Sequence, residues 1–361
     1  MDDLINVADF EREAERLLEP GALGYFAGGA GDEETMRGNI AAFARWHLRP
    51  RVLVDVSTVS TATAVLGREA SMPVLVAPTA FQRLAHFDGE LATARAAAAA
   101  GTVLIQSTLS SVTPAEVAAA APAGRRWFQL YWSADREFTR DLLAQVREAG
   151  FEAVVLTVDF AKAGRRERDL RARFALPDDL ATPNIPGSLA RENFHAALGH
   201  VVDAALTWRD LEWLRDAAGI PVLLKGVLTR EDAVLAVEHG AAGLVVSNHG
   251  GRQLDGAAPS LDALPEVVEA AAERAEVLFD GGIRRGADVA KALALGARAV
   301  LVGRPVIWGL AVGGEDGVAR VLELLRAEVA LALTHLGCTS PADVTRAHVG
   351  PQPPTSSASS I

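Results

Sequence analysis

Residues 280 to 305 read DGGIRRGADVAKALALGARAVLVGRP. The stretch begins at the acidic end of one apolar run (EVLFD, 276–280), turns through paired glycines and passes a helix-compatible segment. It closes on a second apolar run, AVLVG, that stops at Gly303-Arg304. Strand, helix and strand in this order make a parallel crossover, because parallel neighbours need a connection long enough to return the chain to the same end of the sheet. Both runs are continuously apolar rather than alternating, as expected of strands covered on both faces.

Working outward, the same unit recurs. Six further runs precede these two: Pro73 to Ala77, Thr102 to Gln106, Trp127 to Tyr131, Ala153 to Val158, Pro221 to Lys225 and Gly243 to Ser247. Helix-like stretches lie between them at 90–100, 137–149, 209–218, 232–239 and 287–295. Helix starts are marked by Thr113-Pro114 and by the TRED box at Thr229 to Asp232, where a hydroxyl or proline suits the first turn. Eight strands alternating with helices predict an α/β fold, a (β/α)8 TIM barrel. A doubly wound sheet is the alternative, since strand count alone does not close a barrel.

Two regions depart from the rhythm. Residues 1–70 precede the first strand and are read as an N-terminal helical extension, and a long loop-rich segment, 160–207, follows strand four as a candidate lid. Residues 1–350 are expected to form one domain, and the tail PQPPTSSASSI (351–361) to fray, being too poor in core-forming residues to pack.

Composition narrows the class. With 361 residues, half of them hydrophobic, the chain can build one large core, yet no apolar run approaches the about 20 residues needed to span a bilayer. The acidic start MDDLINVADFEREAERLLEP is unlike a secretory signal, so cytoplasmic residence is expected. A net charge of −11 opposes a nucleic-acid surface, and Cys338, the single cysteine, excludes an intramolecular disulfide. His195 and His200 lie in the suspected lid without an HExxH pattern or a carboxylate triad, so no metal site is expected.

In such a barrel the reactive groups belong at the carboxyl ends of the strands. The runs finish in Pro78-Thr79, Gln106-Ser107, Gln129 and Tyr131, Thr157 and Asp159, Lys225, Ser247-Asn248-His249, Asp280-Gly281-Gly282 and Gly303-Arg304. Burying such groups without partners costs about 1–3 kcal/mol each, so their clustering predicts a ligand. The loops after strands seven and eight are a common phosphate site, where free backbone N–H groups and arginines meet an anion; Arg284 and Arg304 are placed to serve it, and the alternative is tight turns with solvated arginines. No GxGxxG follows a strand, so a Rossmann site has no support.

The segment SNHGGRQLD (247–255) concentrates the remaining chemistry. His249 can exchange a proton near neutral pH, Arg252 offers a planar fork for a carboxylate, and Asp159 could orient and stabilise an imidazolium. Together they describe proton abstraction from a small anionic substrate. Each alone has a duller structural reading; the joint placement is what points to catalysis. Lys225 forms an ion pair, stabilises charge on a ligand or makes a Schiff base, and spacing does not choose among these.

SNHGGRQLD, with DGGIRRG, LLKGVLT, APTAFQRLAHFDGE and FQLYW in the same order, resembles the FMN-dependent α-hydroxy acid oxidase and dehydrogenase family over about Phe10 to Cys338. The resemblance implies a (β/α)8 barrel carrying FMN and oxidation of an (S)-2-hydroxy acid to the 2-oxo acid. By motif, His249 would be the base and Asp159 its partner. Arg252 and Tyr25 would hold the substrate carboxylate, with Tyr131 at the hydroxyl and Arg166 assisting. Lys225 would sit by the flavin N1 and O2 edge, and Pro78, Thr79, Ala80, Ser107, Gln129, Thr157 and Ser247 would line the isoalloxazine and ribityl chain. The phosphate would rest on the loop from Asp280 through Gly281 and Gly282 to Arg284, and on Gly303 and Arg304. His249 would take the hydroxyl proton in a hydride route or the α-proton in a carbanion route.

Two departures bear on the substrate. Leu109 stands where plant glycolate oxidases have tryptophan, and the usual TPRLGRRE is replaced by FAKAGRRE at 160–167. The smaller wall suggests a bulkier side chain, and the runs VSNHGGRQLDGAAPSLDALPEVV and LVGRPVIWGLAVGG resemble bacterial members of the family, including hydroxymandelate oxidases. This resemblance implies an aromatic acid of the mandelate or 4-hydroxymandelate type, with lactate or a longer aliphatic acid as the alternative. O2 giving H2O2 is the expected acceptor, against a quinone or carrier protein, and the family implies homotetramers or homo-octamers. Rival readings are an FMN-barrel isomerase and a noncatalytic phosphate-binding barrel.

Overall fold

The computed structural model describes residues 1, 3–185 and 202–352. Short strands β1 (Trp46–Leu48), β2 (Thr63–Val65) and β3 (Arg68–Ala70) precede eight parallel strands: β4 (Val74–Val76), β5 (Val103–Ser107), β6 (Arg125–Leu130), β7 (Val154–Thr157), β8 (Val222–Val227), β9 (Gly243–Val246), β10 (Glu276–Asp280) and β11 (Ala299–Val302). These eight close on themselves in chain order, β11 pairing with β4. Each expected apolar run is thus a barrel strand, and closure decides against the open doubly wound sheet.

Continuous apolar sequence is explained by two cores. Leu75, Ile105, Trp127, Val155, Leu223, Val245, Leu278 and Leu301 belong to the smaller buried cluster, with Val65 and Leu66 at its edge; the alternate strand positions pack with the helices in the larger one. At the amino end of the barrel the β2–β3 hairpin acts as a plug. Arg125 donates to the Val65, Arg68 and Glu69 carbonyls, and Glu276 accepts the Leu66 N–H.

Helix boundaries follow capping chemistry. Thr113 and Glu116 form a reciprocal capping box before Pro114–Ala120, and Thr229 accepts the Asp232 N–H before Arg230–Glu238.

Two expectations need correction. Among the described residues the N-terminal extension is helical in Val7–Leu17, Pro20–Ala27 and Glu34–Ala42, with a short 3-10 turn at Phe43–Arg45. Beyond it the chain turns extended, and Leu66-Gly67 adopt φ values of 50° and 70°, the left-handed pair that a two-residue hairpin demands. The tail is also anchored at its start: Pro351 ends β12 (Val349–Pro351), which pairs antiparallel with β1, and Gln352 donates to the Arg45 carbonyl. Backbone pairing holds this segment where side-chain composition predicts nothing.

The long segment after β7 contains the short helix Glu167–Arg171; His195 and His200 lie outside the described residues. Among the described residues no helix is long and apolar enough to cross a membrane.

Candidate active site

All eight strands deliver their carboxyl ends to one mouth, where a cleft of about 140 Å³ opens. Of the catalytic, substrate and cofactor residues expected from sequence, Asp159 and Ser247 stand just behind its wall and the others line it; the strand-end residues Gln106 and Asn248 do not. Ser247 Oγ accepts from Lys225 Nζ at 2.8 Å, and Asp159 is bonded to His249.

His249 Nδ1 lies 2.9 Å from Asp159 Oδ1. A carboxylate on Nδ1 selects the tautomer with hydrogen there and leaves Nε2 as the basic nitrogen. Burial lowers the imidazole pKa below its ordinary value, although the Asp159 charge and hydrogen bond oppose this. Burial pushes the Asp159 carboxyl up, but the fields of His249 and Lys225 bring it below the usual carboxylate range. The pair therefore rests as a carboxylate beside a neutral imidazole near pH 7.

The backbone of this turn is held under constraint. His249, Gly250 and Gly251 have φ of 60°, 65° and 75°, and a non-glycine residue takes the left-handed region only where its surroundings impose it. Here the restraint comes from Asn248, which accepts the Gly251 N–H and exchanges two hydrogen bonds with Asn39, at 2.8 and 2.7 Å. A Cβ on Gly251 would meet the Met36 nitrogen at 2.5 Å, so only glycine lets the turn approach helix Glu34–Ala42. Two further members of SNHGGRQLD are structural: Gln253 donates to the Asp159 and Lys162 carbonyls, and Asp255 accepts the N–H groups of Asp32 and Thr35.

Lys225 is buried and donates to Ser247 Oγ, with Asp280 Oδ2 at 3.1 Å. Burial alone would lower its pKa, but the carboxylates of Asp280 and Asp159 raise it above the ordinary value. It is a fixed cation with an ion-pair partner, which removes the Schiff-base reading, since that chemistry needs a neutral amine.

A cluster of arginines and tyrosines forms the other wall. Arg252 Nη1 donates to the Tyr25 and Gly28 carbonyls at 2.6 and 2.8 Å, and its guanidinium lies 5.0 Å from the Tyr25 ring centre. Arg166 is buried, and its Nε has no hydrogen-bond partner among the described residues. Burial, then the Arg166 charge, brings the Arg252 pKa down to about 10. Burial raises both Tyr25 and Tyr131 above the ordinary phenol value, so both keep their protons and can donate them in hydrogen bonds.

At the β10 and β11 ends, Arg304 donates to the carbonyls of Phe26, Gly250 and Gly28, tying three loops together. Burial and the nearby charges of Arg252 and Arg284 drive its pKa down to about 9. Arg284 is likewise lowered by burial, with Glu11 as a distant partner at 3.7 Å. Buried guanidiniums gathered at one end of a cleft make a receptor for an anion.

Three contributors escaped sequence reasoning. Asn39 is an asparagine inside a helix, a poor helix former there and in that sense a faint signal. Glu90 is buried and accepts the Gln82 and Ser111 N–H groups, while the Gln82 side chain donates to Thr79 Oγ1. Phe160 lines the cleft beside Tyr131.

Comparison with known proteins agrees with this geometry. A family model described as FMN-dependent dehydrogenase matches residues 14–351. An L-lactate oxidase of Nostoc sp. is 50% identical over 94% of this chain and 96% of its own length. Glycolate oxidase 3 of Oryza sativa subsp. indica is 48% identical over 97% of each chain. Among solved structures, mandelate oxidase with (S)-4-hydroxymandelic acid superposes with a TM-score of 0.91 at 45% identity, covering 96% of this chain and 99% of the other. Mandelate oxidase with (S)-2-phenylpropionate gives 0.88 at 46% identity, covering 96% and 98%.

Proposed function

Since this chain belongs to the FMN-dependent dehydrogenase family and is an FMN-dependent 2-hydroxy acid oxidase, we propose that its substrate is an aromatic (S)-2-hydroxy acid of the mandelate or 4-hydroxymandelate type, with His249 as the base. The 2.9 Å Asp159–His249 pair, with the imidazole lining the cleft, carries the base assignment.

The cleft's chemistry fits FMN. Arg284, depressed by burial, and Arg304, depressed by burial and by the charges of Arg252 and Arg284, would hold the phosphate together with the Gly281-Gly282 and Gly303 turns. The Lys225 ammonium would stand at the electron-rich edge of the ring system, and Gln129, whose Nε2 donates to Thr157 Oγ1, would present its amide along the cofactor's length. When bound, FMN supplies the acceptor for the two electrons that leave the carbinol carbon, and O2 is reduced to H2O2.

The protein's own part is to bind, orient and take a proton. Arg252 and Arg166 would clamp the substrate carboxylate with Tyr25, and Tyr131 would donate to the hydroxyl oxygen. His249 Nε2 would remove the proton that leaves the substrate, and Asp159 would stabilise the resulting imidazolium across the Nδ1 hydrogen bond. A buried Leu109 at the pocket wall supports an aromatic group. The 50% identity to a lactate oxidase favours an aliphatic acid as the second reading. The same proposal takes residues 1–350 as one FMN-binding domain and the enzyme as a cytoplasmic homotetramer or homo-octamer.

Anaerobic mixing of the yellow protein with (S)-mandelate, 4-hydroxymandelate, lactate and glycolate tests it. Bleaching by the aromatic acids first, followed by recolouring and peroxide release in air, is the expected result. Bleaching by lactate alone selects the second reading, and reoxidation that needs a quinone points to a dehydrogenase. A His249→Ala variant that stays yellow and still bleaches at a near-native rate removes the base assignment.

A further inference from the structure

Phe160 follows Asp159 directly, at the position where the family's TPRLGRRE begins with a small hydroxyl residue. Its side chain is 2% exposed. The ring centre lies 4.9 Å from that of Tyr131, tilted by 50°, and 5.9 Å from that of His249, tilted by 44°. It therefore covers the two residues between which the substrate hydroxyl must sit.

On its other side lies a second cavity of about 420 Å³, walled among others by Trp132, Leu156, Val202, Trp208, Leu211 and Val227. Among the described residues, Thr157 and Phe160 alone line both spaces. Thr157 Oγ1 is held by Gln129, so its side chain is tied into the cofactor wall. Phe160 is the partition that a single substitution can remove. A dry apolar cavity of about 150 Å³ already accepts benzene, so the second space is ample for a phenyl group.

We propose that Phe160 determines substrate specificity: its ring is the wall on which the side chain of the 2-hydroxy acid packs, and it closes the acid pocket against the second cavity. Acids whose ring is attached directly to the carbinol carbon fit in front of it, and acids with a longer spacer are excluded by it. The inference rests on the assignment of a 2-hydroxy acid to this cleft. Loss of one apolar methylene's worth of fit or clash shifts selectivity by about 10–200-fold, which sets the size of the effect.

The test compares the FMN-loaded native chain with Phe160→Ala and Phe160→Leu, using (S)-lactate, (S)-mandelate and (S)-3-phenyllactate and following anaerobic flavin bleaching. The kcat/KM ratio of 3-phenyllactate to mandelate should rise at least tenfold in Phe160→Ala, mostly through KM for the longer acid, with Phe160→Leu intermediate. Flavin absorbance reports folding, and the leucine variant carries the test alone if the alanine variant does not fold. A ratio unchanged within twofold, or an equal loss for all three acids, overturns the specificity role while leaving the oxidase assignment standing. Failure of the native chain to bleach with any 2-hydroxy acid overturns both.

Discussion

Asp159 Oδ1 sits 2.9 Å from His249 Nδ1, although the two residues are 90 positions apart and are carried by β7 and β9, with β8 between them. The contact sets both the tautomer and the basicity of the imidazole, and its consequences can be measured.

Replacing Asp159 with asparagine keeps the shape and removes the charge. Turnover should fall by about 10²–10⁴-fold, the range for impaired general acid–base catalysis, while FMN stays bound. The pH profile gives the sign. Only neutral His249 accepts a proton, so kcat/KM is lost as pH falls through its depressed pKa. Asp159 raises that pKa, so Asp159→Asn should move the acid limb to still lower pH while the plateau drops. An acid limb that moves upward contradicts the pairing.

Gly226 makes room for Asp159. It has φ of 109°, and a Cβ there would lie 2.6 Å from both Cβ and Cγ of Asp159. Gly226→Ala should cost about 1–3 kcal/mol in urea unfolding through backbone strain alone. Rates of flavin reduction should fall at least about tenfold, since displacement of a catalytic pair by a fraction of an ångström is enough to misalign proton transfer. A variant with native turnover would show that the Asp159 position tolerates movement.

Lys225 and Asp280 form an ion pair away from solvent, at 3.1 Å. Lys225→Met strands a buried carboxylate, whose Oδ1 already has no partner among the described residues, and should destabilise the apo chain by about 3–5 kcal/mol. The double variant Lys225→Met/Asp280→Leu should recover most of that stability in urea melts. It should not recover normal flavin reduction if, as proposed, the ammonium stands at the ring edge. If the single variant melts like the native chain, the pair contributes nothing to the fold.

Arg284 separates cofactor charge from cofactor shape. FMN and riboflavin differ by the phosphate, so Arg284→Ala should shrink the preference for FMN over riboflavin by about 10–100-fold in fluorescence titrations, the worth of a hydrogen bond to a charged group. Equal weakening of both flavins would place the phosphate elsewhere.

The parts of this site that sequence announces are those that repeat or cluster. The eight apolar runs and the polar residue ending each of them are local properties, and so is the density of chemistry in SNHGGRQLD. Asn39 and Glu90 carry no such mark. Asn39 sits in a helix 209 residues before the Asn248 amide it holds, and beyond its poor fit to a helix interior EETMRGNIAAF does not point to that partner. The β2–β3 plug was hidden for the same reason, because its value lies in covering the barrel's end, a surface that exists only after closure.

From sequence alone come the strand and helix periods, the parallel class, and the inventory of residues at the strand ends, since backbone preference and apolar patterning act over a few residues. Only the tertiary structure decides that the sheet closes, that Lys225 is an ion-paired cation and not a free amine, and that Phe160 stands between two cavities. Those outcomes depend on burial and on charges brought together from distant positions, and both arise only when the chain has folded.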